Sequence, residues 1–379
     1  MNRKLLAIGA ISFIVTAFLV GRILAGFDWN PTATIKFAED AVSQTEYAED
    51  LLGEVIVAPD AGHDGKFFFS QAMDPFYLEP GVHAVFLDRP TYRAQRMLYP
   101  TLSSLGGLLS PMGTAWGLIV VNVLAMVVGT VFTSLVARQL GVSPWFGLVF
   151  VLNPGLIVAL NIDGANIVAM AALMAGIYYV MTERVLVASL AMTASVLARE
   201  TMVIAALGLA LFWLYKYRKV PWAMLIPPTA VVTWWAYVHW RLQSGLAQDT
   251  QAVGWPFVGF VQAFERWVSP PISFVDLAMG VLLLLVSIAL LVRSVLTPTA
   301  LGWGVAGFAF LGLLLSEPVW LRWFDSTRAL APVLTAYALV VSASIASQPR
   351  GDSGEREGPD PGRHPRGLRA STGSGRYGR

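Results

Sequence analysis

The residues best suited to chemistry lie in a polar stretch, residues 27–96, which separates apolar segments of a chain with few charges. This stretch contains twelve acidic and five basic residues. Within it, Asp64 precedes Gly65 and a run of three phenylalanines at positions 67–69. The pattern fits a carboxylate on a tight turn, beside a flexible glycine, that aromatic side chains hold at a membrane interface. A solvated loop aspartate is the alternative, because Asp-Gly is a common turn pair.

Two arginines, Arg93 and Arg96, close the polar stretch just before the apolar sequence that starts at Met97. Arginine presents a planar fork of donors that matches phosphate oxygens, and at an interface it reaches a lipid phosphate without entering hydrocarbon. Flanking charges that snorkel to the membrane surface are the alternative. The sequence therefore places an acid and two candidate phosphate binders close together along the chain.

Charged residues also occur in two later places. Arg199 and Glu200 interrupt an apolar run, where ionisable side chains are costly and indicate either function or a structural ion pair. Residues 317–328 combine two acids and two arginines with three aromatic residues, a set that fits a lipid-phosphate or sugar contact and also fits an ordinary interfacial belt. The charged members of that segment are Glu317, Arg322, Asp325 and Arg328.

Metal chemistry has weak support in the sequence. Asp60, His63 and Asp64 lie within five residues and offer oxygen and imidazole ligands. Such a trio arises easily in an acidic loop, so we expect no cofactor and keep a divalent ion there as the alternative. Asp163 before Gly164 forms another polar turn, which helix capping explains as well as substrate binding does. The chain has no cysteine, which excludes disulfides and thiolate sites.

Composition predicts an all-α polytopic membrane protein. The chain is 56% hydrophobic and 13% charged, against about 25% charged residues in soluble proteins. A net charge of +2 does not favour nucleic acid as a partner. Segment 97–110 is interfacial or re-entrant, or else raises the number of transmembrane helices from about ten to eleven. The ten predicted helices cover about 5–25, 114–137, 143–161, 164–182, 185–198, 201–215, 220–240, 274–292, 298–316 and 327–347.

The distribution of Lys and Arg predicts the orientation of these helices, since basic residues gather in cytoplasmic loops. Both termini are expected in the cytoplasm, and residues 27–96 form a large first external loop with interfacial helices. Residues 1–347 form the membrane domain, which begins with an uncleaved anchor. Residues 348–379 are a disordered cytoplasmic tail because they have little to bury. All candidate functional groups then lie on the external side.

Parts of the polar stretch match a longer pattern. They read Asp64-Gly65-Lys66-Phe67-Phe68, Asp74-Pro75 and Leu87–Pro100, and the likeness extends to Arg199-Glu200-Thr201 and to residues 326–332. These segments resemble the GT-C superfamily of polytopic glycosyltransferases, and specifically a bacterial group of cell-surface glycopolymer formation proteins. In that group the loop looks like DG-x-F/Y-Y/F, then DP, then LD-x-P-x-Y-R-x-Q-R-x-L-Y-P. The chain departs from the group at His63, where a tyrosine is expected.

The resemblance implies a GT-C-like fold in the bacterial plasma membrane. It also implies an inverting enzyme that moves a sugar, without a metal, from a polyprenyl-phosphate donor to an envelope glycan or lipid acceptor at the external face. Asp64 would be the catalytic base. The donor phosphate would contact Arg93, Arg96, Arg199, Arg322 and Arg328. The supporting or acceptor-binding residues would be His63, Asp74, Tyr99, Asp163, Glu200, Glu317 and Asp325.

Two other classes of protein remain open at this point. A transporter or flippase of a lipid-linked sugar could use the same arginines, but it would need polar groups along the helices, and the sequence offers few. A non-catalytic scaffold for envelope assembly could use the acidic loop as a docking surface. Membrane lipids are expected neighbours in all three cases.

Overall fold

The computed structural model describes residues 3–59, 62–108, 110–243 and 253–346, which are 77% helical. The predicted tail, residues 348–379, lies outside them. The first helices are α1 (Arg3–Ala25), α2 (Thr32–Ile35), α3 (Val42–Leu52), α4 (Gly65–Met73), α5 (Pro80–His83), α6 (Pro90–Arg93) and α7 (Leu98–Gly107). Next come α8 (Pro111–Gln139), α9 (Pro154–Asn161), α10 (Asn166–Met181), α11 (Val185–Ala198), α12 (Val203–Tyr217) and α13 (Ile226–Leu242). The last are α14 (Val258–Val268), α15 (Phe274–Leu296), α16 (Ala300–Leu314), α17 (Glu317–Trp320), α18 (Trp323–Ala329) and α19 (Ala331–Ala346).

Short elements complete the described part of the chain. Strands β1 (Phe37–Ala38) and β2 (Val57–Ala58) pair in parallel within the polar stretch. Single turns of 3-10 helix occur at Ala84–Phe86, Pro144–Val149, Glu200–Met202 and Trp222–Leu225. The prediction of a largely helical protein is therefore confirmed.

Several helices are long and apolar enough to cross a membrane. Four pass on length and composition: α1, α8, Glu200–Tyr217 and α15. A fifth is possible if α18 and α19, which meet at an angle of 69°, form one broken span. Helices α10, α11 and α16 are apolar but shorter. The chain thus has the helices of a membrane protein, whereas the predicted number of about ten spans is not confirmed.

Residues 143–161, predicted as one spanning helix, instead form a 3-10 segment and the eight-residue helix α9. The break falls at Asn153, whose side-chain oxygen accepts a hydrogen bond from the Gly155 N–H at 2.9 Å. Its amide group donates to the Ala331 carbonyl at 2.9 Å. A capping asparagine followed by Pro154 begins a new helix. The prediction of one continuous span is therefore wrong.

Segment 97–110 contains the ten-residue helix α7. At about 1.5 Å per residue this helix is about 15 Å long, half of the hydrocarbon thickness of about 30 Å. It packs closely on α8, since a Cβ added at Gly106 would lie 2.1 Å from the Gly113 carbonyl oxygen. Helix α7 is therefore too short to be an eleventh full span.

The phenylalanines at 67–69 pack the polar stretch onto the helical bundle. Their exposed fractions are 6%, 3% and 0%. Phe68 contacts Tyr99 edge to face with ring centroids 5.2 Å apart, and Phe69 contacts Phe37 at 6.0 Å. The expectation that this run anchors a loop at the membrane interface is wrong. Burial of the run instead fixes helix α4, which follows Asp64.

Four helices of the bundle meet the polar stretch at one end. Residues 185–215 form two helices, as predicted, and the chain is extended between them at Arg199. Helix α10 begins at Asn166, and α16 ends one residue before Leu315. All three residues line the same cavity as Asp64. The ends of α10, α11, α12 and α16 therefore surround one site.

Candidate functional site

Asp64 lies where two other backbone segments approach the start of α4. A Cβ added at Gly65 would lie 2.5 Å from the Ile35 carbonyl oxygen and 2.8 Å from the Ile162 carbonyl oxygen. Any larger residue at position 65 would push these segments apart. Asp64 lies in the turn that begins α4, as predicted, but Gly65 is helical, so the expectation of a flexible glycine is wrong. The glycine allows close packing, which holds the Asp64 backbone in place.

Three guanidinium groups surround the Asp64 carboxylate. Arg93 Nη1 donates to Oδ1 at 2.7 Å, while Nη1 of Arg96 and of Arg328 lie 3.6 and 3.7 Å from Oδ2. Burial acts to raise the pKa of Asp64, but the charges of Arg328, Arg96 and Arg93 outweigh it and hold the pKa well below its usual range. Asp64 is therefore ionised at neutral pH, and its two contacts at Oδ2 are longer than hydrogen bonds.

Arg93 is fully engaged by protein groups. Its Nε and Nη2 donate to the two oxygens of Asp88 at 2.8 and 3.0 Å. Its guanidinium carbon lies 3.9 Å from the ring centroid of Phe67, a cation–π contact. A phosphate would have to displace a carboxylate to bind here. The geometry therefore fits Arg93 as a residue that orients Asp64 better than it fits a phosphate ligand.

Arg96 connects the polar stretch to the turn between α11 and α12. Its Nε and Nη2 donate to the two oxygens of Glu200, each at 3.0 Å. Nη2 also donates to the Tyr92 hydroxyl at 2.7 Å. Such a bidentate pair fixes both partners. Glu200 thus pairs with Arg96 across the site, and its neighbour Arg199 makes other contacts.

A cavity of about 390 Å³ lies against these ion pairs. Among the described residues, four guanidinium groups and three carboxylates line it, and this excess of positive charge favours an anion. The polar lining residues are Asp64, Tyr92, Arg93, Arg96, Asn166, Arg199, Glu200, Thr201, Asp325 and Arg328. The apolar lining residues are Val253, Phe308, Leu311, Leu315, Pro318, Val319 and Ala329.

Three buried polar atoms at this cavity have no hydrogen-bond partner among the described residues: Arg199 Nε, Thr201 Oγ1 and Arg328 Nη1. Buried polar groups in proteins are nearly always hydrogen-bonded, so a bound ligand group is a natural explanation. Arg199 Nη1 donates to the Arg328 carbonyl at 3.4 Å, and Arg328 Nη2 donates to Asp325 at 3.0 Å. All three atoms can donate a hydrogen bond, as phosphate oxygens require.

Some predicted site residues lie outside the lining of this cavity. Arg322 is exposed, and its guanidinium lies 5.7 Å from the ring centroid of Phe324. Glu317 forms an ion pair with the exposed Arg266 at 2.5 Å. His63 lines a second cavity instead. The geometry gives these residues no contact with the arginine-lined cavity.

Asp74 has a structural environment. It is buried, and its two carboxylate oxygens accept the backbone N–H groups of Leu78 and Glu79, each at 2.8 Å. A side chain that accepts two consecutive backbone donors stabilises a turn. Asp74 therefore holds the bend after α4 and is absent from the lining of the cavity.

Tyr99 and Asp163 belong to a buried polar network. The Tyr99 hydroxyl donates to the Leu118 carbonyl at 3.0 Å and accepts from Asn122 Nδ2 at 2.8 Å. Asp163, in the turn between α9 and α10, accepts the Thr34 hydroxyl at 2.7 Å. Burial raises the pKa of Asp163 to about 7, although hydrogen bonds from Thr34 and Asn122 oppose the shift. These contacts join the polar stretch to the bundle.

Sequence reasoning assigned no role to Asp88, Tyr92, Asn166 or Thr201, which complete the site. Asp88 and Tyr92 lie beside the two arginines that they contact, and Thr201 directly follows Arg199 and Glu200. Proximity in the chain was thus a usable signal for these three residues. Asn166 belongs to the polar turn predicted at Asp163, but the sequence could not indicate its bond to the Arg328 carbonyl, at 3.1 Å, because that partner is 162 residues away.

Of the three residues considered for a metal, His63 and Asp64 are described. Asp60 lies outside the described residues, and His63 lines a different cavity from Asp64. Within the described ranges, no group of three or more His, Asp or Glu side chains could hold a metal ion. The expectation that the protein works without a cofactor stays a prediction.

No protein-family model, curated protein or solved structure matches the chain. The likeness to GT-C enzymes therefore rests on the sequence pattern alone. The site geometry provides an independent basis for inference. It combines an ionised carboxylate, unpartnered donors suited to an anion and an apolar lining in one cavity.

Proposed function

We propose that this protein is a membrane glycosyltransferase that moves a sugar from a polyprenyl-phosphate donor to an envelope glycan or lipid acceptor, with inversion. The reaction would occur at the external face of a bacterial plasma membrane, as the resemblance and the distribution of Lys and Arg suggest. The observation that carries the proposal is the set of unpartnered donors on Arg199, Thr201 and Arg328 beside ionised Asp64. The oxygens of a phosphate can accept hydrogen bonds from these donors while the attached sugar faces the carboxylate.

Asp64 is the base in this proposal. The acceptor hydroxyl oxygen attacks the anomeric carbon, and a new C–O bond forms. The bond from that carbon to the phosphate oxygen breaks, and its electron pair leaves with the phosphate. The hydroxyl proton passes to Asp64 Oδ2, because Oδ1 is already held by Arg93 at 2.7 Å.

The arginines give Asp64 a low pKa, which makes it a weak base. Binding of an anionic phosphate changes this balance, because the phosphate competes for the charges of Arg328 and Arg96. The nitrogens of these two arginines lie 3.6–3.7 Å from Asp64 Oδ2, which is beyond hydrogen-bond distance. These contacts are therefore the most easily broken. Donor binding therefore raises the pKa of Asp64 and makes it a better base when it is needed.

The apolar lining supports a lipid-borne phosphate over a soluble nucleotide sugar. Phe308 and Leu311 belong to α16, an apolar helix, and Leu315 follows its end. The polar groups of a nucleotide would lie against these apolar side chains and gain little from the contact. A polyprenyl chain would bury them, with about 25 cal/mol gained per Å² of apolar surface removed from water.

Transfer by purified protein in lipid nanodiscs tests the proposal. Radiolabelled polyprenyl-phosphate sugars are supplied together with envelope glycan and lipid acceptors, and label in the acceptor is measured. We expect transfer by the wild type and a loss of about 10²–10⁴-fold in Asp64→Asn, since a positioned base contributes about that factor. Glu54→Gln, at an exposed acid of the same polar stretch, should keep the wild-type rate.

Two outcomes would overturn the proposal. Equal transfer by Asp64→Asn and the wild type would remove Asp64 as the base. Donor binding that depends on Arg199 without transfer to any acceptor would favour the flippase. In that case, protein-dependent movement of the donor between leaflets would be the measured activity. Absence of donor binding would favour the scaffold.

A further inference from the structure

A second cavity, of about 680 Å³, lies beside the first and has a different character. We call it the α1–α9 groove, after the two helices that provide half of its described lining residues. Its apolar lining residues are Leu19, Ile23, Gly26, Phe27, Ile157, Val158, Leu160, Ile162, Trp323 and Phe324. Its remaining lining residues are Arg22, Lys36, His63 and Asn161. Among the residues that the structure describes, three basic side chains and no carboxylate therefore face an otherwise apolar groove.

The polar and apolar parts of the groove lie in different places along the chain. Arg22 is in the last turn of α1, and Lys36 and His63 belong to the polar stretch. Leu19 and Val158 lie farther inside α1 and α9, both of which are apolar. The groove thus has basic groups beside the polar stretch and an apolar floor that follows the helices, as an amphiphile requires.

Only one layer of residues separates the groove from the arginine-lined cavity. His63 lines the groove and Asp64 lines the cavity, and the same alternation occurs at Phe324 and Asp325. The rings of His63 and Phe324 meet edge to face with centroids 6.2 Å apart. A headgroup held in the groove would therefore lie next to the layer that carries Asp64.

We propose that the α1–α9 groove binds a membrane lipid with an anionic phosphate headgroup. The headgroup contacts Arg22 and Lys36, and the acyl or prenyl chain lies along Leu19, Ile157 and Val158. That this lipid is the acceptor of the transferred sugar rests on the proposed function. Its binding does not, because the groove and its charges exist whatever reaction Asp64 performs.

The charge pattern is what selects this occupant. A basic cluster without carboxylates attracts phosphate, and an apolar groove of this size accommodates a hydrocarbon chain. A neutral lipid would leave Arg22 and Lys36 without a counter-charge. A soluble phosphate would leave the apolar floor empty. A second copy of the chain is less suited, since two copies would bring the same basic groups together.

A photoactivatable phosphatidic acid tests the proposal on the full chain in nanodiscs. Its diacylglycerol analogue, which lacks the phosphate, is the matched probe. We expect phosphatidic acid to label peptides from α1 and α9 at least about fivefold more than the analogue does, since a charged headgroup contact is worth about 1 kcal/mol or more. Excess inorganic phosphate should not compete, because it lacks the chain.

Two kinds of variant test the groove itself. The double variant Arg22→Gln with Lys36→Gln removes the charge and should reduce the labelling at least about fivefold. Val158→Trp fills the floor and should reduce it for both probes. The control double variant Arg184→Gln with Lys219→Gln removes two exposed charges elsewhere and should leave labelling unchanged. Thermal midpoints of all variants show whether each one is folded.

Equal labelling by both probes, or labelling that survives the Arg22→Gln and Lys36→Gln changes, would overturn the proposal. Asp64→Asn separates it from the proposed function, because this variant should still be labelled in the groove while it loses transfer. If the wild type is labelled but no donor supports transfer, the lipid site stands and its role as an acceptor site is lost.

Discussion

At the level of single residues, the arginines near Asp64 differ in their contacts and therefore in their expected functions. Arg93 is held by Asp88 and Phe67 and donates to Asp64 at 2.7 Å, so it orients the carboxylate. Arg199 has an unpartnered Nε and no carboxylate contact shorter than 4 Å among the described residues. It is therefore the guanidinium most available to an anion. Arginines that lie close together thus have different expected functions.

This division predicts different kinetic defects. Arg199→Gln should weaken binding of a polyprenyl-phosphate sugar by about 10–100-fold, since a lost charged hydrogen bond costs about 1.5–3 kcal/mol. Arg93→Gln should leave that affinity within about threefold and lower the single-turnover rate, because Asp64 loses its orientation. Donor titration and rapid quench measure the two quantities. Equal losses of affinity in both variants would contradict the division, and Arg184→Gln serves as the control.

Asp163 makes stability depend on pH. Its pKa is about 7 in the folded protein, against 3.8 for the ordinary group. Between these values the folded state binds one more proton than the unfolded state, so the free energy of unfolding falls as pH rises from about 4 to about 7. The shift corresponds to a loss on the order of 4 kcal/mol. Above pH 7 this contribution is constant.

Asp163→Asn should remove this slope, because an amide can accept the Thr34 hydroxyl without ionising. We expect the variant to be more stable than the wild type at pH 8 and close to it at pH 5, as measured by chemical unfolding in detergent micelles. Asp64 affects the free energy of unfolding in the opposite direction. Its pKa is lowered, so its contribution is present above pH 4 and is lost only in stronger acid. A pH-independent difference between the variant and the wild type would contradict the assignment.

At the level of elements, close backbone packing decides where Asp64 lies. Gly65→Ala should lower stability by about 1–3 kcal/mol or more, since its Cβ would lie 2.5 Å from the Ile35 carbonyl oxygen. Gly81→Ala is the matched control, because nothing lies within 4 Å of a Cβ added there. Thermal midpoints measure the difference. A Gly65→Ala protein as stable as Gly81→Ala would show that the two segments can separate freely.

Local sequence predicted several elements well. Helix α11 coincides with the predicted range 185–198, and α1 lies within two residues of its predicted start. Hydropathy and charge report where an apolar helix ends, so the turn at Arg199 was also predictable. The break at Asn153 was missed because hydropathy alone was followed; the pair Asn153-Pro154 is a local start signal for α9, whereas the bond from Asn153 to Ala331 in α19 has none. Caps that bind distant elements have no local hydropathy signal.

The candidate site was predictable as a set of residues but not as a set of pairs. Charged residues in apolar sequence pointed to Arg199 and Arg328 because burial of charge is costly. The sequence could not indicate that Glu200 pairs with Arg96, 104 residues away. Nor could it separate His63 from Asp64, which face different cavities. Such partners are fixed by tertiary packing, which one sequence pattern does not encode.

For the whole molecule, the decisive feature is that all these groups meet at one end of the bundle. Asp64 and Arg328 come from distant parts of the chain, and Arg328 Nη1 lies 3.7 Å from Asp64 Oδ2. Helices α10 and α12 start at this end and run for 16 and 15 residues, or about 24 and 22 Å at 1.5 Å per residue. We therefore expect residues just beyond their far ends to face the opposite side of a membrane.

Cysteine labelling in intact cells tests this arrangement, because the natural chain contains no cysteine. Glu79→Cys and Arg322→Cys replace exposed residues near the site, and Arg184→Cys and Lys219→Cys replace exposed residues beyond the far ends of α10 and α12. An impermeant maleimide should label the first pair from outside and the second pair only after permeabilisation. The reverse pattern would keep the fold and place the site in the cytoplasm. Labelling of positions 79 and 322 from opposite sides would exclude a common site for Asp64 and Arg328.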